Sequence, residues 1–267
     1  MRFGRTLPGF TAVALFATIP FFPETTIPGA AASAPELVYG AASSLGNGSI
    51  RSYMEYDNGR PVELGVELTE AVMQNLPHHG LDPATGVHGA EYVLELPRDN
   101  PTPFQHVVVQ WNPGGHEPPG MYDLPHFDFH FYTIDNAARL AISPKDAAFE
   151  QKAANKPEAE FVPAGYIMPA PMAIPAMGVH WIDPKSPEFN GGKFTQTFIF
   201  GSYDGQMIFA EPMITRAFLE QKQTLVKPLP VATKSNPAGL YPAAYAIRWV
   251  EDAKVWRVAL SELTARN

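Results

Sequence analysis

The side chains best able to do chemistry crowd into one stretch, His116-Glu-Pro-Pro-Gly-Met-Tyr-Asp-Leu-Pro-His126-Phe-Asp128-Phe-His130-Phe-Tyr132. From His126 onward polar and aromatic residues alternate. That pattern reads as a strand with His126, Asp128 and His130 on one face and Phe127, Phe129 and Phe131 on the other. Imidazole and carboxylate together suit zinc, and also iron or manganese. Strand spacing limits how they can cooperate. Residues two apart lie about 7 Å apart and can converge on one ion. Residues four apart lie about 13 Å apart, too far for His126 and His130 to share an ion on a regular strand. Three arrangements stay open: Asp128 ligating with one histidine, Asp128 bridging two ions, or Asp128 orienting a histidine. A bulge after Pro125 would relax the limit.

Further ligands must come from elsewhere in the chain. All eight histidines lie between His78 and His180. His180, in Met177-Gly-Val-His-Trp181, is the first choice, followed by His116 and Glu117 on the approach to the strand and by Glu211 in Ala210-Glu-Pro-Met213. The candidate ligand set is therefore His116, His126, Asp128, His130, His180 and Glu211. Glu117 or Asp128 would serve as base or orienter for a metal-bound water, whose pKa the ion lowers. Zinc is the expected metal. Copper enters because Met168, Met172 and Met177 approach His180 and thioethers suit Cu(I), although such methionines also fill cores. The competing reading is a strand whose histidines and aspartate bond one another and the backbone. His78-His79, before Gly80, reads as a solvated loop.

Several classes are excluded. The chain of 267 residues has no cysteine, which removes disulfides, thiolate metal sites and cysteine nucleophiles. There is no Gly-x-Ser-x-Gly elbow, phosphate loop or dinucleotide fingerprint. The His-x-His pair that cupins and all-β carbonic anhydrases place on one strand is also missing. A net charge of −8 with no basic run argues against nucleic acid as a partner. A 45% hydrophobic content with 17% charged residues excludes wholesale disorder.

The elements that must position these residues are mostly strands. Residues 49–56 and 61–68 alternate around Asp57-Asn-Gly-Arg60, a hairpin signature. Further hairpins are expected for 194–200 with 206–210 and for 245–250 with 255–260, and further strands for 91–96, 106–111 and 126–133. Thr69 is expected to cap a helix from Glu70 to Leu76. Short helices are expected within 136–156 and over 215–223. Residues 157–187, rich in proline, read as an extended wrapping segment. The fold class is mainly β, an antiparallel barrel or sandwich with a few short helices.

Residues 1–34 read as a signal peptide: Arg2 and Arg5, a short apolar run broken by proline, then Ala-rich small residues. A retained N-terminal anchor is the rival. Residues 35–267 are expected to form a single β-rich domain, periplasmic or secreted, with no membrane span after signal removal.

Four segments in order, Trp111-Asn-Pro-Gly-Gly-His-Glu-Pro-Pro-Gly120, Pro125-His-Phe-Asp-Phe-His-Phe-Tyr132, Met177-Gly-Val-His-Trp181, and Phe200-Gly-Ser-Tyr-Asp-Gly205 through Glu211-Pro-Met-Ile-Thr215, resemble a bacterial family of exported proteins of unassigned function. That family is typified by a thermophile protein under an extracytoplasmic sigma-factor and anti-sigma system. The resemblance covers most of residues 40–220. It implies a β-rich homo-oligomer tied to envelope stress, and no established reaction. The functional expectation is an exported protein with a His/Asp/Glu metal site, acting as a metal-dependent hydrolase on an unknown small molecule. The alternative is a non-catalytic envelope protein that assembles or binds a ligand.

Overall fold

Two antiparallel sheets carry the chain, and their shared face is its largest apolar cluster. The computed structural model describes residues 34–78, 89–169 and 172–267, with residues 1 and 4. The signal-peptide assignment, His79 and His88 lie outside the described residues. Residues Ser33–Asn267 form one unit, to which everything below refers.

The first sheet opens with β1 (Glu36–Tyr39), β2 (Ser43–Leu45), β3 (Gly48–Asp57) and β4 (Arg60–Thr69). The chain then builds the second sheet from β5 (Ala90–Glu95), β6 (His106–Asn112), β7 (His126–Tyr132), β8 (Val179–Trp181), β9 (Gln196–Tyr203) and β10 (Gln206–Thr215). It returns to the first sheet with β11 (Leu225–Pro228), β13 (Ala244–Val250) and β14 (Val255–Ser261), while β12 (Gly239–Tyr241) pairs with β15 (Thr264–Arg266). The sheet orders are β1-β3-β4-β14-β13-β11, with β2 on β3, and β5-β6-β7-β10-β9-β8. Both sheets are open, so of the two expected forms the chain adopts the sandwich.

All three expected hairpins form. The Asn58-Gly59 turn joins β3 to β4, Asp204-Gly205 joins β9 to β10, and β13 pairs with β14 throughout. The helices are α1 (Asn136–Ala141), α2 (Phe149–Ala154) and α3 (Arg216–Glu220). Asp135 caps α1 by accepting from the Ala138 amide, and Thr215 caps α3 by accepting from the Phe218 amide. Thr69 behaves differently from its sequence reading. Its hydroxyl accepts from the Ser49 amide at 2.9 Å, a cross-strand bond that competes with capping, and the turn after it is a short 3-10 helix, Glu70–Met73. No helix among the described residues is long and apolar enough to cross a membrane.

Strand alternation decides what each face of the second sheet does. Phe127, Phe129 and Phe131 join Val107, Val109 and Trp111 against Leu64, Val66, Leu68, Trp256, Val258 and Leu260 of the first sheet. Each such side chain contributes roughly 1.5–3 kcal/mol by burial. The opposite face of β7, with His126, Asp128, His130 and Tyr132, is buried as well. Its cover has two apolar parts. One joins Ile142, Phe149 and Met177 to Val108, Tyr132 and Phe209; the other joins Tyr122, Ile182 and Phe194 to Ile199 and Met213. The polar residues of β7 therefore lie in an interior layer, under loops instead of under a third sheet.

Within the proline-rich segment the structure adds a 3-10 turn, Ala159–Phe161, and a strand, neither of which the sequence announces. Residues 179–181 form β8 and pair antiparallel with β9, His180 opposite Gly201. That pairing carries His180 onto the same sheet as the His126–His130 strand.

Candidate metal centre

Each polar side chain of the covered face is placed by register. On β6, Asn112 stands opposite His126, and Gln110 opposite Asp128. On β10, Thr215 stands opposite His126 and Met213 opposite Asp128, which puts Glu211 level with His130. His116 arrives from the loop between β6 and β7. That loop doubles back, with the His116 amide donating to the Tyr122 carbonyl at 3.2 Å. Gly115 permits the reversal: it has φ +76°, and a Cβ there would lie 2.0 Å from the Tyr122 carbonyl oxygen. The His116 ring then rests edge-on against His126, centroids 4.7 Å apart.

All six residues proposed as ligands from the sequence come together in two groups. In the first, His116 Nε2 lies 3.3 Å from Asp128 Oδ2, and His126 Nε2 lies 3.3 Å from Asp128 Oδ1. In the second, Glu211 Oε2 lies 3.3 Å from His130 Nε2 and 4.0 Å from His180 Nε2. Within each group the potential ligand atoms all lie within 4.8 Å of one another. His126 and His130 serve different groups, as the strand spacing requires. Glu117 belongs to neither; its side chain is exposed, and its backbone carbonyl is what touches the site.

Hydrogen bonding fixes the orientation of the first group. His116 Nδ1 donates to the Glu117 carbonyl at 2.7 Å, and His126 Nδ1 donates to the Leu124 carbonyl at 2.6 Å. A carbonyl only accepts, so both Nδ1 atoms carry protons and both Nε2 atoms point at Asp128. A neutral Nε2 and a carboxylate oxygen are both acceptors and repel unless a proton or a cation lies between them. The 3.3 Å separations are longer than the about 2.7–2.9 Å of a charge-assisted N–H···O bond. They match the edge of a tetrahedron with ligand bonds of about 2.0–2.1 Å, which is close to 3.3 Å. Asn112 Nδ2 donates to Asp128 Oδ2 at 2.7 Å and steadies the carboxylate.

The second group is held by packing. The His130 ring lies 5.1 Å from Phe209 and the His180 ring 5.6 Å from it. Among the described residues, His130 Nδ1, Glu211 Oε2 and Asp128 Oδ1 are buried without a hydrogen-bond partner. Buried polar atoms of that kind are costly unless a partner satisfies them.

The charges follow from burial and neighbours. Burial alone would push the Asp128 carboxyl up, but His126 and His116 together pull it well below the usual carboxylate range. Burial works against the His116 imidazolium, yet Asp128 and the Glu117 carbonyl outweigh it and raise its pKa. His130 is pushed down to about 3 by burial, with His180 adding to the effect against the opposing pull of Asp128. His180 is pushed down to about 4 by burial and by His116. Burial, reinforced by Asp128, raises Glu211 well above the usual range. At neutral pH the second group thus offers neutral imidazoles, the form a metal binds. The side chains of His116 and His180 are 26% and 23% exposed, so solvent meets the two groups on that side.

Asn112 and Tyr122 were missed by the sequence reading. Asn112 continues the alternation of β6 past Trp111, so a strand extended by one residue would have found it. Tyr122, whose buried ring packs 5.7 Å from His116, carries no local signal. Met177 lies in the apolar cover of the sheet, and Met172 is exposed.

No curated protein and no solved structure matches the chain. A family model does: residues 57–111, from the β3–β4 turn through most of β6, match TTHB210-like, described as hypothetical protein TTHB210. The match ends where the histidine motifs begin, so it speaks to the framework and leaves the roles of the site residues to chemistry. In that segment the chain is similar to the TTHB210-like family, the thermophile-typified family that its sequence motifs pointed to.

Proposed function

We propose that the covered face of the second sheet is a transition-metal centre, zinc first among the ions its donors suit, in an exported and oligomeric protein. The observation that carries this is the pair of Nδ1–H bonds from His116 and His126 to backbone carbonyls. They aim two Nε2 atoms at one buried carboxylate, the arrangement in which outer hydrogen bonds orient metal-ligating histidines. His116, His126 and Asp128 would hold one ion, and His130, His180 and Glu211 a second, weaker one. His116 and His180 stand at the solvent side, so an ion held there would be open to water, whose pKa it would lower. The reaction class this supports is hydrolysis of an ester, lactone or similar electrophile.

A second reading is favoured by the burial of four of the six residues: the groups act as polar cross-links in a non-catalytic envelope protein that assembles or binds a ligand. Elemental analysis of the untagged protein after dialysis against metal-free buffer separates the two. The metal reading expects up to two zinc, iron or manganese ions per chain, with His126→Ala emptying the first group and His130→Ala the second. A metal-free protein whose melting temperature ignores added zinc ends that reading. Light scattering tests the oligomer independently.

A further inference from the structure

A second site lies beyond Phe209, the ring that separates it from His130 and His180 and that also lines it. Phe200 and Phe104 belong to the apolar layer between the sheets, and together with Phe161, Tyr241 and the loop 230–236 they wall a cleft of about 690 Å³, counting its open mouth. The loop is pinned in place: the Thr233 hydroxyl and the Lys234 amide both donate to the Glu160 carbonyl, and the Ser235 amide donates to the Asn267 carbonyl. The walls are therefore preformed, which lowers the ordering cost of binding.

Two cations reach this cleft, and they differ in what they are free to do. Lys234 is exposed and paired with Glu160 at 2.7 Å. Arg266, half-buried on β15, lines the cleft, and its Nε is buried with no hydrogen-bond partner among the described residues. A guanidinium at the edge of an apolar, aromatic-walled space favours a planar anion attached to an apolar body. We infer that the cleft binds an anionic amphiphile, a carboxylate with an alkyl tail of medium length, the tail between the aromatic walls and the head on Arg266. The aromatic and proline lining excludes a small, fully polar anion, which would lose its hydration without recovering hydrogen bonds.

This inference does not depend on the metal centre, and its test keeps the two apart. Isothermal titration of the purified, EDTA-treated protein uses sodium decanoate, with decanol and acetate as comparison probes. Decanoate is expected to bind one per chain, decanol about tenfold more weakly for want of the charge-assisted bond, and acetate not measurably. Arg266→Gln is expected to bring decanoate down to the level of decanol while leaving decanol unchanged. Ala232→Trp, which fills the cleft from the loop, is expected to abolish both; Val231→Trp serves if that variant does not fold. His116→Ala is expected to bind decanoate normally. Absence of saturable binding overturns the inference, as does binding that survives both tryptophan variants. Equal affinity for decanoate and decanol overturns the anionic part. Loss in His116→Ala alone would place the decanoate at the metal centre and overturn the cleft assignment.

Discussion

Gly201 faces Phe209 across the β9–β10 pair, and a Cβ at position 201 would come within 1.9 Å of the Phe209 ring. The ring lies over the glycine and there meets both His130 and His180. A missing side chain on one strand thus leaves room for the ring against which two candidate ligands pack.

Gly201→Ala is accordingly expected to cost about 1–3 kcal/mol, the usual penalty of overpacking. Because Phe209 must move, the second metal equivalent should be lost before the first. Urea denaturation and metal titration of the same variant check this. Unchanged stability would mean that the ring relaxes freely.

Asn112 holds Asp128 without being a ligand candidate itself. Asn112→Ala is expected to weaken metal binding at the first group by about 10- to 100-fold while the protein stays folded. Competition with a chromophoric chelator measures it. An affinity equal to that of the parent protein would remove Asn112 from the site.

The second group should be a stability burden without its ion. His130 and Glu211 are buried polar partners whose desolvation is costly. The double variant His130→Leu, Glu211→Leu is expected to unfold about 1–4 kcal/mol later than the parent protein in chelator, and to gain nothing from added zinc. If the variant is less stable than the metal-free parent, the pair is structural cement.

His106 gives a pH dependence outside the two groups. Its ring stacks on Tyr132 with centroids 4.9 Å apart, and burial, with Arg139 adding, pushes its pKa from 6.5 down to about 4. The unfolded chain therefore binds a proton near pH 6.5 that the folded chain refuses until about pH 4. The stability is complete above pH 6.5 and drains as pH falls from there toward 4, by up to about 3 kcal/mol. His106→Phe keeps the stack and should flatten that part of the profile. Parallel pH profiles of stability for the two proteins would refute the assignment.

Much of this was legible in the chain itself. Alternation over His126–Tyr132 fixes which side chains share a face, because successive strand residues must point opposite ways. The same geometry separates His126 from His130, and the Asn-Gly and Asp-Gly turns announce two of the hairpins. Local pattern also suffices for the broad class, since alternating strand segments outnumber helical ones. The partners were a different matter. That Glu211 meets His130, and His116 meets Asp128, depends on β10 pairing with β7 in one register and on a loop reversal at Gly115. That His180 reaches Glu211 depends on β8, three residues long, docking on β9 opposite a glycine. Registers between strands distant in sequence are set by how two whole faces bury themselves, and no short window of residues contains that sum. The sequence by itself thus determined which residues are candidates for the chemistry and, along His126–Tyr132, on which face they stand. The tertiary structure alone decided how they divide into two groups, because only the packed sheet fixes distances between strands that the chain connects through long loops.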